Sequence, residues 1–211
     1  TEMLEIFRQL GRWNIPSLHL MVTSRSERDF EKPLQDFHQI SLVGKEHNQD
    51  IRRYIRQRML EENEWSKWSI EIQKEISDVV VDKAEDMFRL AKLHLDALQK
   101  SKTRQALQQA MKRLPTTLDD TYARILASID TELRPDALRI LGWLCFSLRP
   151  PTLSELAATL AVNLETLKYD SMLEYQDANE ILGICGSLLK RSEEDGIQVV
   201  KLSHASVKDY L

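Results

Sequence analysis

The sequence predicts a mostly α-helical chain with minor β structure. Its 211 residues include only six glycines and six prolines, and apolar residues recur at spacings of three and four along most of its length, which is typical of helices. Near the C-terminus, three predicted helices precede a β-hairpin. We therefore expect three parts: the remnant of an α/β sheet over 1–45, a helical domain over 46–131, and a winged helix over 132–211.

The first part has the pattern of one helix followed by a buried strand. Residues 2–13 carry a helical apolar stripe, and Leu18–Val22 is a short apolar run without alternation, which is typical of a parallel strand. A further short strand is predicted over 37–43. So small a piece cannot cover both faces of a sheet, and the chain lacks a starting Met, so we expect it to be cut from a longer protein.

The second part begins with a long helix, for which Asn48 is the predicted N-cap. This helix carries a run of arginines (Arg52, Arg53, Arg56 and Arg58), which we interpret as a solvated face. Trp65 and Trp68 follow it and are predicted to be core or interface residues. Thr117 with Asp120 resembles a capping box that opens the last helix of this part.

The third part carries the clearest local signals. Pro135 suits the first turn of a helix, and Thr152 with Glu155 forms the pattern of a capping box. Asp177 is the predicted cap of the third helix. The sequence Glu194-Asp195-Gly196 predicts the turn of a hairpin, and a last helix is expected to begin near Ala205.

Composition excludes several classes of protein. Apolar residues make up 42% and charged residues 29% of the chain, which is ordinary for a globular fold, and a net charge of −4 argues against a protein built to hold nucleic acid. No apolar run approaches the length of a membrane span, and we expect a cytoplasmic protein. Cys145 and Cys185 lie in apolar helical contexts and are interpreted as small hydrophobic residues. No metal site or catalytic residue is predicted.

Five stretches, in chain order, resemble segments of one known family. They are Leu20-Met21-Val22-Thr23-Ser24-Arg25, Met87-Phe88-Arg89-Leu90-Ala91, Leu114-Pro115-Thr116-Thr117-Leu118-Asp119-Asp120-Thr121-Tyr122, Arg149-Pro150-Pro151-Thr152-Leu153-Ser154-Glu155-Leu156 and Leu202-Ser203-His204-Ala205-Ser206-Val207-Lys208-Asp209-Tyr210-Leu211. Their order is similar to that in fungal NACHT (STAND) signalling ATPases that carry ankyrin or WD40 repeats further on. In these proteins the fourth and fifth stretches belong to a winged helix of the GPI inositol-deacylase type.

The chain departs from that family in two respects. A glycine usually precedes the Met-Phe pair, and here the residue is Asp86. The phosphate-binding pattern G-x-x-x-x-G-K-[ST] is also absent from the 211 residues, and in the family it lies N-terminal to the first matching stretch. This chain alone is therefore expected to hydrolyse nothing and to bind no nucleotide tightly. The parent protein is expected to be at most a weak P-loop ATPase that binds ATP or ADP with magnesium.

The resemblance singles out two nucleotide-binding candidates. Arg25 would end a sheet strand and act as a sensor of the γ-phosphate; the alternative is a surface arginine paired with Glu27 or Asp29. His204 would contact the β-phosphate of ADP and latch the winged helix onto the ATPase core. Its alternative is an imidazole hydrogen-bonded locally at the start of a helix.

The resemblance implies a switch in which exchange of ADP for ATP changes conformation and assembly. The expected partners are the rest of the NACHT domain in cis, further copies of the parent, and other proteins. Two alternatives stay open. One is a nucleotide-independent interaction scaffold, and the other is a DNA-binding regulator, although the third helix, over 178–189, contains no basic residue.

Overall fold

A computed structural model describes residues 2–13, 15–23, 34, 37–40 and 45–211. The chain separates into two compact units, Thr1–Gly44 and Lys45–Leu211. Most of the described residues lie in the second unit, which holds both hydrophobic cores described below.

The first unit contains a helix but lacks the expected strand in its described residues. Helix α1 spans Glu2–Arg12. Residues 18–22 are not paired into a strand, and the side chain of Met21 is 88% exposed, so the strand predicted there is wrong. A parallel strand needs neighbours to accept its backbone hydrogen bonds, and no described residue supplies them. The strand predicted over 37–43 is absent from 37–40, and 41–43 lie outside the described residues.

Four helices form the first part of the second unit. They are α2 (Lys45–Glu61), α3 (Ile70–Ala84), α4 (Phe88–Gln99) and α5 (Arg104–Lys112). Helix α2 begins at Lys45 and continues through Asn48, so the prediction of Asn48 as its N-cap is wrong. The signal misled because a polar residue followed by an acidic first turn also occurs inside a helix with a solvated face.

The four helices enclose one apolar core, and Trp65 and Trp68 lie within it as predicted. The arginine run on α2 is only partly the solvated face that the sequence predicts. The side chain of Arg58 is 13% exposed and bonds the carboxylates of Glu62 and Asp96, each at 2.6 Å. A buried guanidinium is stable only with such partners, and the partner on α4 is 38 residues away in sequence.

Helix α6 (Leu118–Ala127) leads into the third part, which begins with α7 (Arg134–Phe146), α8 (Leu153–Leu160) and α9 (Glu180–Cys185). The capping box of Thr152 and Glu155 is confirmed in full, and Pro135 lies in the first turn of α7. Between α8 and α9, the strands β1 (Val162–Asn163) and β2 (Lys168–Tyr169) pair antiparallel. The N-cap of α9 is Asn179, so the prediction of Asp177 as this cap is wrong. The carboxylate of Asp177 instead accepts from the Asn179 amide, just before the helix.

A hairpin and a short helix complete the third part. Strands β3 (Leu189–Glu194) and β4 (Ile197–Leu202) pair antiparallel, and the Val200 amide donates to the Pro151 carbonyl at 2.8 Å, which adds a short third segment to the sheet. Asp195 and Gly196 have φ of 50° and 77°, as a two-residue type I′ turn requires. Helix α10 spans Ala205–Tyr210, where the sequence predicts the last helix.

The winged helix elements enclose a second apolar core, to which α4 and α6 also contribute through Leu93 and Tyr122. Helix α4 therefore has residues in both cores, and Leu118 on α6 packs against both. Among the described residues, no helix is both long and apolar enough to cross a membrane.

Candidate functional site

His204 lies between β4 and α10 and caps the helix with its own ring. Its Nδ1 accepts a hydrogen bond from the Ser206 backbone amide at 3.1 Å and lies 2.7 Å from the Ser206 hydroxyl. The alternative role of His204, an imidazole hydrogen-bonded locally at the start of a helix, is therefore present in the structure. A ring held at Nδ1 is fixed in orientation, and in its neutral form it carries its proton on Nε2.

A hydrogen-bonded cluster connects His204 to helix α4. Ser206 Oγ lies 2.8 Å from the Tyr122 hydroxyl, and Arg89 Nε donates to that hydroxyl at 3.2 Å. The Tyr122 ring is buried, with 1% of its surface exposed, and the Arg89 guanidinium lies 5.9 Å from its centre. We call Arg89, Tyr122, Ser206 and His204 the His204 relay.

Arg89 also holds the segments that flank the wing. Its second terminal nitrogen (Nη2) donates to Ser203 Oγ at 2.6 Å and to the Ser187 carbonyl at 3.3 Å, and Ser203 Oγ donates to the same carbonyl at 2.7 Å. One forked guanidinium therefore ties α4 to α6, to the turn before β3 and to the residue preceding His204. A lysine has a single nitrogen and cannot donate in these directions at once.

A pocket of about 260 Å³ opens beside His204, and most of its charged lining is basic. Its polar side includes Arg149, Lys201 and Lys208, and its apolar side is formed by residues of α7 and β4. Arg149 pairs with Glu155, and Lys201 pairs with Glu194. The pocket is smaller than the 300–1,000 Å³ typical of whole organic ligands, and its cations suit an anionic group such as a phosphate.

Sequence reasoning found one of these residues as a site and missed the rest. His204 was singled out, whereas Arg89, Tyr122, Ser203 and Ser206 were not. Their position in the sequence could have identified them, because all four lie within the second, third and fifth of the resembling stretches. The structure brings those stretches together over separations of 33 to 114 residues. Arg25 lies outside the described residues, so its role stays a prediction.

Other titratable groups have structural explanations. His94 on α4 is 1% exposed, and burial lowers its pKa to about 4, with a further decrease from the charge of Lys83 and a partial offset by the Pro115 carbonyl. Burial raises the pKa of the Cys185 thiol to about 12, so this cysteine is a poor nucleophile. Within the described ranges, no group of three or more His, Cys, Asp or Glu side chains is placed to hold a metal ion.

Comparison with known protein families agrees with the element order of the third part. A family model described as the GPI inositol-deacylase winged helix domain matches residues 122–211. This segment is a winged helix domain. The match begins at Tyr122, so it includes every member of the His204 relay except Arg89.

One curated relative is the azaphilone pigments biosynthesis cluster protein L of Monascus ruber. It is 40% identical to this chain over 103 residues, which are 46% of the chain and 22% of the relative. The chain thus spans about a fifth of the length of that protein. No solved structure matches the chain.

Proposed function

We propose that this chain is part of a nucleotide-controlled signalling switch of the NACHT type, in which the winged helix acts as the moving part. In the resting state, ADP lies between the ATPase core and the winged helix, and His204 donates a hydrogen bond from Nε2 to its β-phosphate. Exchange of ADP for ATP removes this contact, and the winged helix separates from the core and exposes an assembly surface. The protein acts in the cytoplasm.

One observation carries the proposal. The ring of His204 is fixed through Nδ1 at the edge of a small pocket whose lining includes three cations, Arg149, Lys201 and Lys208, and whose size suits one phosphate group rather than a whole nucleotide. The remaining contacts to ADP and magnesium come from the rest of the NACHT domain in cis, because the phosphate-binding pattern is absent from these 211 residues. Arg25 is the proposed contact to the γ-phosphate of ATP, as the resemblance implies.

The test is ADP affinity, measured by titration calorimetry on the full-length protein. We expect His204→Ala and His204→Asn each to weaken ADP binding about tenfold, or about 1.4 kcal/mol. Asparagine is the matched control, because its side-chain oxygen can still cap α10 while the donor at Nε2 is lost. Wild-type affinity in His204→Asn would mean that His204 serves only as a cap, and would overturn the latch.

A second function, the interaction scaffold, is favoured by a different surface. Trp143, Phe146 and Leu164 line an apolar groove on α7 and the β1–β2 loop, and the side chain of Phe146 is 87% exposed. Apolar surfaces of this kind are often covered by protein. The same calorimetry separates the two functions, because a wild-type protein that binds neither ADP nor ATP leaves the scaffold as the account of these residues.

A further inference from the structure

The His204 relay connects two parts of the chain that lie far apart in sequence. Arg89 is in the first turn of α4, and the groups that it contacts are on α6, before β3 and after β4. The relay begins at Arg89 and ends at the imidazole of His204, so it gives the helical part a direct connection to the candidate latch residue.

The chemistry of Arg89 fixes the direction of every hydrogen bond in the relay. A guanidinium only donates, so the Tyr122 oxygen accepts from Arg89 Nε. The hydroxyl proton of Tyr122 then points to Ser206 Oγ, 2.8 Å away. Ser206 in turn donates its own proton to His204 Nδ1 at 2.7 Å. In the reverse order the Tyr122 oxygen would accept from both Arg89 and Ser206, and its own buried proton would have no acceptor among the described residues.

The backbone supports the same direction. The Ser206 amide also donates to Nδ1, so Nδ1 carries no proton in this arrangement. If the Ser206 hydroxyl proton pointed to Tyr122 instead, two acceptors would face each other at 2.7 Å. The amide and the relay therefore agree on one tautomer.

We infer that Arg89 is a positioning residue that acts through Tyr122 and Ser206 to fix His204 as the Nε2–H tautomer. A ring preset in this way presents a donor, which matches an anionic oxygen such as that of a phosphate and rejects a donor group. The use of this donor on ADP rests on the proposed function. The tautomer itself depends only on these 211 residues and needs no nucleotide.

The experiment is nitrogen-15 NMR of the His204 ring in the 211-residue protein without nucleotide. In the wild type, we expect Nε2 to carry the proton, with the Nδ1–H form below detection. Tyr122→Phe removes one oxygen, keeps the buried ring, and is expected to give a measurable Nδ1–H fraction. Arg89→Gln is expected to do the same, because the glutamine amide offers an acceptor to Tyr122 as well as a donor.

Ser203→Ala is the matched control, since it removes another bond of Arg89 and leaves the relay complete. It is expected to keep the wild-type tautomer. A wild-type spectrum in Tyr122→Phe would overturn the inference, because the backbone amide would then suffice. Equal changes in Tyr122→Phe and Ser203→Ala would also overturn it, since they would indicate general loosening.

A second readout separates this inference from the proposed function. In the full-length protein, Tyr122→Phe is expected to weaken ADP binding about threefold, while Ser203→Ala leaves it unchanged. A changed tautomer with no ADP binding in any variant, wild type included, supports the relay and removes the nucleotide switch. A changed tautomer with unaltered ADP affinity supports the relay and shows that ADP does not use the Nε2 donor.

Discussion

At the scale of single residues, the junction between α3 and α4 holds two side chains in an unfavourable backbone conformation. Glu85 and Asp86 have φ of 43° and 63°, in the left-handed region that glycine adopts without cost. Asp86 stands where the resembling proteins carry glycine. Its Oδ1 is also buried, with no hydrogen-bond partner among the described residues. Asp86 in place of glycine therefore lowers the stability of the fold at this junction.

We predict that Asp86→Gly stabilises the protein by about 1 kcal/mol, because glycine removes the left-handed strain and the buried carboxylate oxygen. The measurement is the free energy of unfolding in urea. Glu75→Gly in the exposed face of α3 is the matched control and is expected to lower stability by about 1 kcal/mol. A destabilised Asp86→Gly variant would contradict this account of the junction.

His94 makes stability depend on pH. Its folded pKa of about 4 lies below the ordinary value of 6.5, so the unfolded chain binds a proton that the native chain does not. Stability from this group is complete above pH 6.5 and falls as pH decreases towards 4. We expect the wild type to lose about 2 kcal/mol more than His94→Gln between pH 7.5 and pH 4.5. Parallel urea midpoints for the two proteins over that range would contradict the burial of a neutral imidazole.

At the scale of elements, local signals were enough where a few neighbouring residues decide the structure. The capping box at Thr152 and the hairpin turn before Ile197 were predicted because both depend on residues within four positions of each other. Arg58 and Arg89 were not, because their partners Asp96, Tyr122 and Ser203 are 33 to 114 residues away. The prediction of Asn48 as an N-cap was wrong although it used neighbouring residues, because the same local pattern occurs at a helix start and inside a solvated helix.

The cap of α8 gives a prediction at this scale. Thr152 Oγ accepts from the Glu155 amide at 3.2 Å, and Glu155 Oε2 accepts from the Thr152 amide at 2.8 Å. We expect Thr152→Ala to lower the free energy of unfolding by about 1 kcal/mol, because the first turn loses its hydroxyl acceptor. Thr152→Ser retains the hydroxyl and is expected to stay within a few tenths of a kcal/mol of the wild type. Equal losses in both variants would indicate that packing of the threonine methyl group, not capping, matters here.

At the scale of the whole molecule, the two cores of 45–211 share one helix. Leu95 and Leu98 on α4 lie in the first core, Leu93 on the same helix lies in the second, and Leu118 packs against both. Arg89 adds polar bonds between α4 and the winged helix. If one core unfolds, α4 loses part of its packing, and the residues of α4 in the other core lose the helix that positions them. We therefore expect 45–211 to unfold as one unit.

Leu156→Ala tests that expectation from within the second core. Leu156 is fully buried on α8, and its truncation is expected to cost 2–5 kcal/mol, roughly, through lost burial and a residual cavity. The reporters are Trp65 and Trp68 in the first core, with Trp13 and Trp143 replaced by phenylalanine. Because we expect the two cores to unfold together, the urea midpoint of the tryptophan fluorescence should fall together with the midpoint of the far-UV circular dichroism. Leu164→Ala, at a side chain 64% exposed, should change neither midpoint.

If the tryptophan midpoint stayed at its wild-type value while circular dichroism showed an earlier step, the winged helix would unfold alone, and α4 would belong to the first core only.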